Sequence, residues 1–353
     1  MKILHTGDVH LKEYGDDRWK TLERLIEVGK TERIGLFAIS GDLFDKGPNA
    51  ENLRPKTREI FSGTGFKTVL IPGNHDKDAY SRGMWFGEDM VILTDLDTPF
   101  EHGSVRVWGM PFEHIEGERI LHKLRSLAKR LTTDKPNILL YHGELLDAFF
   151  SRRDFGDEGE ERYMPVRLSY FKDLRIDYVL AGHFHSSINS WKLENGGYFV
   201  YPGSPTSITK REIGQRKANL FEIGKPPSEY LLDTPHFEEV IIRFDPFSER
   251  EPTEIVKECF NNLHKQAKII LTVSGFLNGK VIAMEEKTLV EQLKKIASRR
   301  CVEEHYEFKD IQDILEDDLM KRFMGRLDRT EAEEEKKKQM RNTAIKAIMD
   351  SKR

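Results

Sequence analysis

His183 and His185, one residue apart, close the stretch Leu180-Ala181-Gly182-His183-Phe184-His185, directly after a short apolar run. Four other clusters share this form, a β-rich apolar run stopping abruptly at glycine and polar residues. Gly7-Asp8-Val9-His10 follows KILHT, Gly41-Asp42 follows GLFAIS, Gly73-Asn74-His75-Asp76 follows KTVLIP, and His142-Gly143 follows NILLY. Any one of them is a weak signal, because Asp after Gly is common at a turn and a lone histidine is usually structural. Their conjunction is stronger, since five of the twelve histidines fall inside them.

Asp8, His10, Asp42, Asn74, His142, His183 and His185 supply seven nitrogen and oxygen donors, and no cysteine is among them. That excludes a thiolate zinc site and suits Mn²⁺, Fe²⁺ or Zn²⁺. Seven donors exceed one tetrahedral ion and suit two ions ~3.5–4 Å apart with one carboxylate bridging. In Asp8-x-His10 and His183-x-His185, a spacing of two places both side chains on one face of a strand. On that argument His183 and His185 are ligands, one to each metal. Such a pair of ions polarises a phosphoryl group and acidifies a bridging water, and the glycines let backbone approach closely.

Elements must bring these clusters together. Continuous apolar runs of this length suit strands buried on both faces. Residues 19–30 and 50–61 between the first three runs are helix-compatible, and strand–helix alternation predicts parallel pairing. Ligands of open α/β sheets bind at the carboxyl ends of strands, where all five clusters would sit. Residues 105–112, 188–205 and 218–223 read as more antiparallel strands, with a hairpin turn at Asn195-Gly196-Gly197. The expected fold is α/β (α+β), a layered sandwich with mixed sheets over residues 1–230. A proline-containing linker leads to a small βαβ domain at 236–305, and a helical segment covers 309–353. In that last segment Ile311, Ile314, Leu315, Leu319, Phe323, Met324 and Leu327 recur at helical spacing, either packing on their own domain or docking another chain.

The chain has 353 residues and a formal net charge of −4, so any nucleic-acid contact must use local basic patches. Arg152, Arg153, Lys210, Arg211, Arg216 and Lys217 cluster near the expected rim and are candidate phosphate contacts. For any one of them taken singly, ordinary surface charge is the better reading. No apolar stretch reaches transmembrane length, the first residues do not resemble a signal peptide, and only two cysteines occur. A reducing cytoplasmic setting is expected, with nucleoid association in a prokaryote.

In order and type the five clusters resemble the signature of the calcineurin-like metallophosphoesterase superfamily. Within it, residues 1 to about 300 look like the SbcD-type exonucleases of DNA double-strand-break repair. The resemblance extends to YPGSPTSITK at 201–210 and to the small domain as a DNA-binding cap. It implies that Asp8, His10, Asp42 and His185 hold one metal and that Asp42, Asn74, His142 and His183 hold the other, most often Mn²⁺. It further implies that His75 faces the scissile phosphate, stabilising the transition state or protonating the leaving oxygen. Asp76 is then expected to orient His75 by accepting from its other ring nitrogen. The implied partners are DNA, an SMC-like ATPase docked on the C-terminal helices, and a second copy of the chain. Two departures are visible. Asp45 stands where the nuclease branch usually has histidine, and the fourth cluster has Tyr141 rather than glycine before its histidine. The implied function is a two-metal DNA nuclease; the alternative is a small-molecule or nucleotide phosphoesterase of the same fold.

Overall fold

Strand alternation sends Ile3 and Leu4 to opposite sides of one strand, and both are fully buried. That is the organising fact of the first unit. The structure is a computed structural model that describes residues 1–80, 85–148, 163–186, 189–248 and 250–351. Two units result, Met1–Phe237 and Glu238–Arg353.

The first unit begins with β1 (Lys2–Thr6), α1 (Asp17–Thr31), β2 (Leu36–Ile39), α2 (Gly47–Phe61), β3 (Lys67–Leu70) and β4 (Met90–Ile92). It continues with β5 (Phe100–His102), β6 (Val105–Met110), α3 (Glu118–Ala128), β7 (Asn137–His142) and β8 (Tyr178–Gly182). The hairpin β9 (Asn189–Lys192) and β10 (Tyr198–Tyr201) and the pair β11 (Lys217–Glu222) and β12 (Glu229–Leu231) complete it. One six-stranded sheet runs β12-β11-β1-β2-β3-β4, and β1 to β4 are mutually parallel. The other runs β5-β6-β7-β8-β10-β9. Here β6, β7, β8 and β10 are parallel, so the expectation of an antiparallel segment holds for the pairs β5–β6, β9–β10, β1–β11 and β11–β12 and not for the rest of the second sheet.

The two sheets face each other. Ile3, Leu36, Ala38 and Val69 from the first meet Val107, Ile138, Leu140 and Leu180 from the second. The alternate residues Leu4, Phe37, Ile39 and Leu70 turn outward under α1 and α2, joined by Leu22, Leu25 and Leu53. On the far side Leu139, Tyr141, Val179 and Ala181 lie under α3, with Ile120, Leu124 and Leu127. Helix α1 starts where Asp16 accepts from Trp19 N at 2.8 Å, a side-chain cap on an otherwise unpaired donor.

The second unit is a three-stranded sheet of β13 (His236–Phe244), β14 (Ala267–Leu277) and β15 (Cys301–Asp310), with α4 (Pro252–Asn261), α5 (Gly279–Ile282) and α6 (Glu286–Ala297). Val256 and Phe260 of α4 and Leu289 and Leu293 of α6 bury against Ile242, Ile269, Leu271 and Val273. β15, which the sequence reading did not anticipate, runs parallel to β14. Helices α7 (Gln312–Leu315), α8 (Asp318–Leu327) and α9 (Glu334–Ser351) follow. Ile311, Met320, Ile345 and Ile348 bury against Phe276 of β14, so this apolar stripe packs on its own unit; Leu319 points outward and is 65% exposed.

Candidate metal centre

The five polar clusters follow β1, β2, β3, β7 and β8, three parallel strands of one sheet and two of the other. Their loops are stitched across the sandwich. His183 N donates to both oxygens of Asp8 at 3.0 and 2.9 Å, His142 Nδ1 donates to Ser40 O at 2.7 Å, and His75 N donates to Asp42 Oδ1 at 2.9 Å. Backbone bonds Asp8 N to Gly41 O (3.1 Å) and His10 N to Asp42 O (2.9 Å) bind the first two loops side by side.

Strand alternation does not aim the donors. Asp8, His10, Asp42 and His183 lie at φ +55°, +51°, +50° and +94°, a left-handed backbone that costs a non-glycine residue about 1–3 kcal/mol and gathers at functional sites. Two glycines clear the space. A Cβ on Gly73 would meet Asp42 Oδ1 at 2.1 Å, and one on Gly41, itself at φ +100°, would meet His142 Nδ1 at 2.1 Å.

The seven donors converge in two groups that meet at Asp42. On one side His10 Nε2 lies 3.3 Å from His185 Nε2 and 3.8 Å from Asp42 Oδ2, and His185 Nε2 lies 3.8 Å from Asp8 Oδ1. On the other, His142 Nε2 is 2.9 Å from Asn74 Oδ1 and 3.3 Å from Asp42 Oδ2, with the His183 ring centroid 5.4 Å from that of His142. Asn74 is half-buried and the other six are buried. Among the described residues, buried Asp42 Oδ2 and His10 Nδ1 make no well-formed hydrogen bond, Asp42 Oδ2 having only its 3.3 Å ionic contact with His142. Stranded lone pairs among imidazoles and carboxylates are what a divalent cation relieves, so these residues fit the metals.

The electrostatics agree. Burial pushes Asp8 up from the ordinary carboxylate range and His10 down from the ordinary imidazole range. Burial opposes the charged forms of Asp42 and His142 too, but their mutual attraction prevails: Asp42 is held below the carboxylate range and His142 is raised to about 10.

Around this centre two expectations are corrected. Asp76 does not orient His75. Its buried carboxylate accepts from Gly73 N (2.8 Å), Phe44 N (3.2 Å) and Tyr80 Oη (2.7 Å), bracing the loop from inside. The His75 ring instead donates Nδ1–H to the backbone carbonyl of Asp45 at 3.2 Å, and stands edge-on to His10 with centroids 4.6 Å apart. Arg216 is not a surface cation either. It is 3% exposed, and its guanidinium donates to Ser204 O, Ser204 Oγ and His185 O, which leaves it unable to reach a phosphate outside. Lys217 is half-buried and paired with Glu229 at 2.5 Å, whereas Lys210 and Arg211 are exposed. Arg152 and Arg153 lie outside the described residues.

Three residues that the sequence reading did not place in the site also belong to it. Arg18 donates to His10 O at 2.6 Å and to Asp45 Oδ1 at 2.9 Å. The Asp45 carboxylate comes within 3.9 Å of His10 Nδ1. Glu212 is buried against His185. Asp45 was visible as a departure from a pattern; Arg18 and Glu212 sit in stretches with no motif.

A two-sheet sandwich carrying a buried His/Asp/Asn centre at the strand ends defines a metal-dependent phosphoesterase. The chain belongs to the calcineurin-like phosphoesterase family, whose model matches residues 1–187 and so spans all five clusters. Among solved structures it is similar to a dimetal phosphatase from Danio rerio, at 12% identity over 62% of this chain and 91% of that one, with a TM-score of 0.43. A 5'-nucleotidase precursor from Thermus thermophilus matches at 13% identity over 66% of this chain and 54% of that one, TM-score 0.38. The NAD nucleotidase of Haemophilus influenzae matches at 12% identity over 85% and 60%, TM-score 0.40. No helix among the described residues is long and apolar enough to cross a membrane.

Proposed function

We propose that this phosphoesterase hydrolyses phosphodiester bonds of DNA, with two Mn²⁺ ions shared across Asp42. One ion would be held by Asp8, His10, Asp42 and His185, the other by Asp42, Asn74, His142 and His183. Such ions, when bound, polarise a phosphoryl group and lower the pKa of an attacking water. The protein's own part is the proton. His75 is half-exposed beside the ligands, and its Nδ1–H is committed to the Asp45 carbonyl. In this reading His75, as the imidazolium, protonates the leaving oxygen through Nε2.

The observation that carries the DNA reading is the turn before Glu212. It presents exposed Lys210 and Arg211 two residues and one residue from Glu212, whose side chain touches His185. Cations at that rim suit a polyanion held by its backbone rather than by its bases. The test is linear duplex DNA incubated with the purified chain and Mn²⁺, with His75→Ala as control. Shortened strands are expected, and intact DNA beside rapid hydrolysis of a nucleotide would reject it. Asp45 favours a second reading, a smaller nucleotide ester, because a carboxylate paired to Arg18 stands where the nuclease branch has an imidazole that could donate to phosphate. The docked ATPase and the dimer belong to the nuclease reading alone, and sedimentation of the purified chain checks the dimer.

A further inference from the structure

We propose that Glu212 is the positioning residue for the metal ligand His185, fixing which ring nitrogen faces the centre. The inference rests on the metal reading above and adds a residue to it.

His185 is gripped at both ends. Its Nδ1 lies 3.4 Å from Glu212 Oε1, and a carboxylate can only accept, so Nδ1 carries the hydrogen and Nε2 is turned toward Asp8 and His10. Its backbone carbonyl accepts from Ser204 N at 3.0 Å and from the Arg216 guanidinium. Glu212 is 1% exposed, and its carboxylate is otherwise saturated: it accepts from Ser204 Oγ (2.9 Å), Ile208 N (2.9 Å), Thr209 N (3.2 Å) and Thr209 Oγ1 (3.3 Å). A buried carboxylate with so many donors is rigid, and rigidity is what an outer-sphere partner of a metal-bound histidine must supply. The same bonds tie the turn bearing Lys210 and Arg211 to the ligand, so the outer turn and the inner ring cannot shift independently.

Mn²⁺ titrated by calorimetry into the wild-type chain and into Glu212→Gln tests this. The wild type should bind two ions. Glu212→Gln should bind one of them about 10–100-fold more weakly, with Glu212→Asp recovering part of the loss. A wild type that binds no Mn²⁺ would reject the metal reading itself. Two ions bound by Glu212→Gln with unchanged affinity would reject only the role of Glu212, even with a lowered melting temperature. If the variant does not fold, the wild type still decides. Long-range ¹H–¹⁵N spectra of the Zn²⁺-loaded protein should show His185 protonated at Nδ1, and a ring protonated at Nε2 would overturn the proposal.

Discussion

Oδ2 of Asp42 lies 3.3 Å from Nε2 of His142, although the aspartate follows β2 in one sheet and the histidine ends β7 in the other. The two sheets thus meet in an ion pair at the centre of the site. Burial works against both charges, but each partner's attraction for the other outweighs it, which holds Asp42 below the carboxylate range, raises the His142 pKa to about 10 and so favours its proton at neutral pH.

A divalent cation takes imidazole as a neutral ligand, so its binding must expel that proton. Mn²⁺ titrations at pH 7 in buffers of different ionisation enthalpy should therefore report release of about one proton from His142, and affinity should rise with pH. Heats independent of buffer would show that His142 is already neutral. The metal-free fold has the opposite dependence. The folded His142 pKa lies above the unfolded value of 6.5, so its stabilisation is complete below pH 6.5 and is lost as pH rises toward about 10. Chelator-treated protein should melt at a lower temperature at pH 10 than at pH 7, and His142→Asn should flatten that fall.

His75→Ala removes the only proton donor assigned to the leaving oxygen and none of the seven metal donors. Turnover should drop about 10²–10⁴-fold, the usual range for a general acid. Metal content by mass spectrometry should be unchanged. An active variant, or one that also loses metal, would place His75 elsewhere in the chemistry.

Asp45→Asn breaks the 2.9 Å pair with Arg18 and removes the charge 3.9 Å from His10 Nδ1. The pair is partly exposed, so stability should fall by no more than about 1 kcal/mol. Mn²⁺ affinity should fall about tenfold through the loss of a carboxylate beside a liganding ring. A large drop in melting temperature with intact affinity would instead make Asp45 a loop anchor.

Gly73→Ala puts a methyl group 2.1 Å from Asp42 Oδ1 and 2.6 Å from Asp42 N. Neither atom can retreat, because Oδ1 accepts from His75 N and the backbone of this loop is tied to β1's loop. Metal content should fall to near zero while far-ultraviolet circular dichroism stays native. A variant that keeps both ions would mean the loop is softer than its hydrogen bonds imply.

The sandwich was legible because its strands bury both faces, which leaves uninterrupted apolar runs such as Leu36–Ile39 and residues 138–141. The donors were legible because each run ends in them. What failed was direction. Asp76 follows His75 in sequence but turns into the core toward Tyr80, and nothing in the order of residues says which neighbour a loop side chain will face. Arg216 looked like one of several surface cations, yet the carbonyls of Ser204 and His185 draw it inside. β15 was missed because half of CVEEHYEFKD is charged and only Phe308 is fully buried, so no apolar run marks it.

The left-handed backbone at Asp8 has an evolutionary consequence. A glycine there would relax the main chain but delete a metal donor and the acceptor of the buried His183 N–H, so relief of strain would be offset by a loosened joint between the sheets. Natural variation at such a position is pulled in two directions, and a descendant that had given up catalysis for a scaffolding role would be expected to keep Asp8 and Asp42, whose carboxylates hold the loops together, longer than His10 or His185.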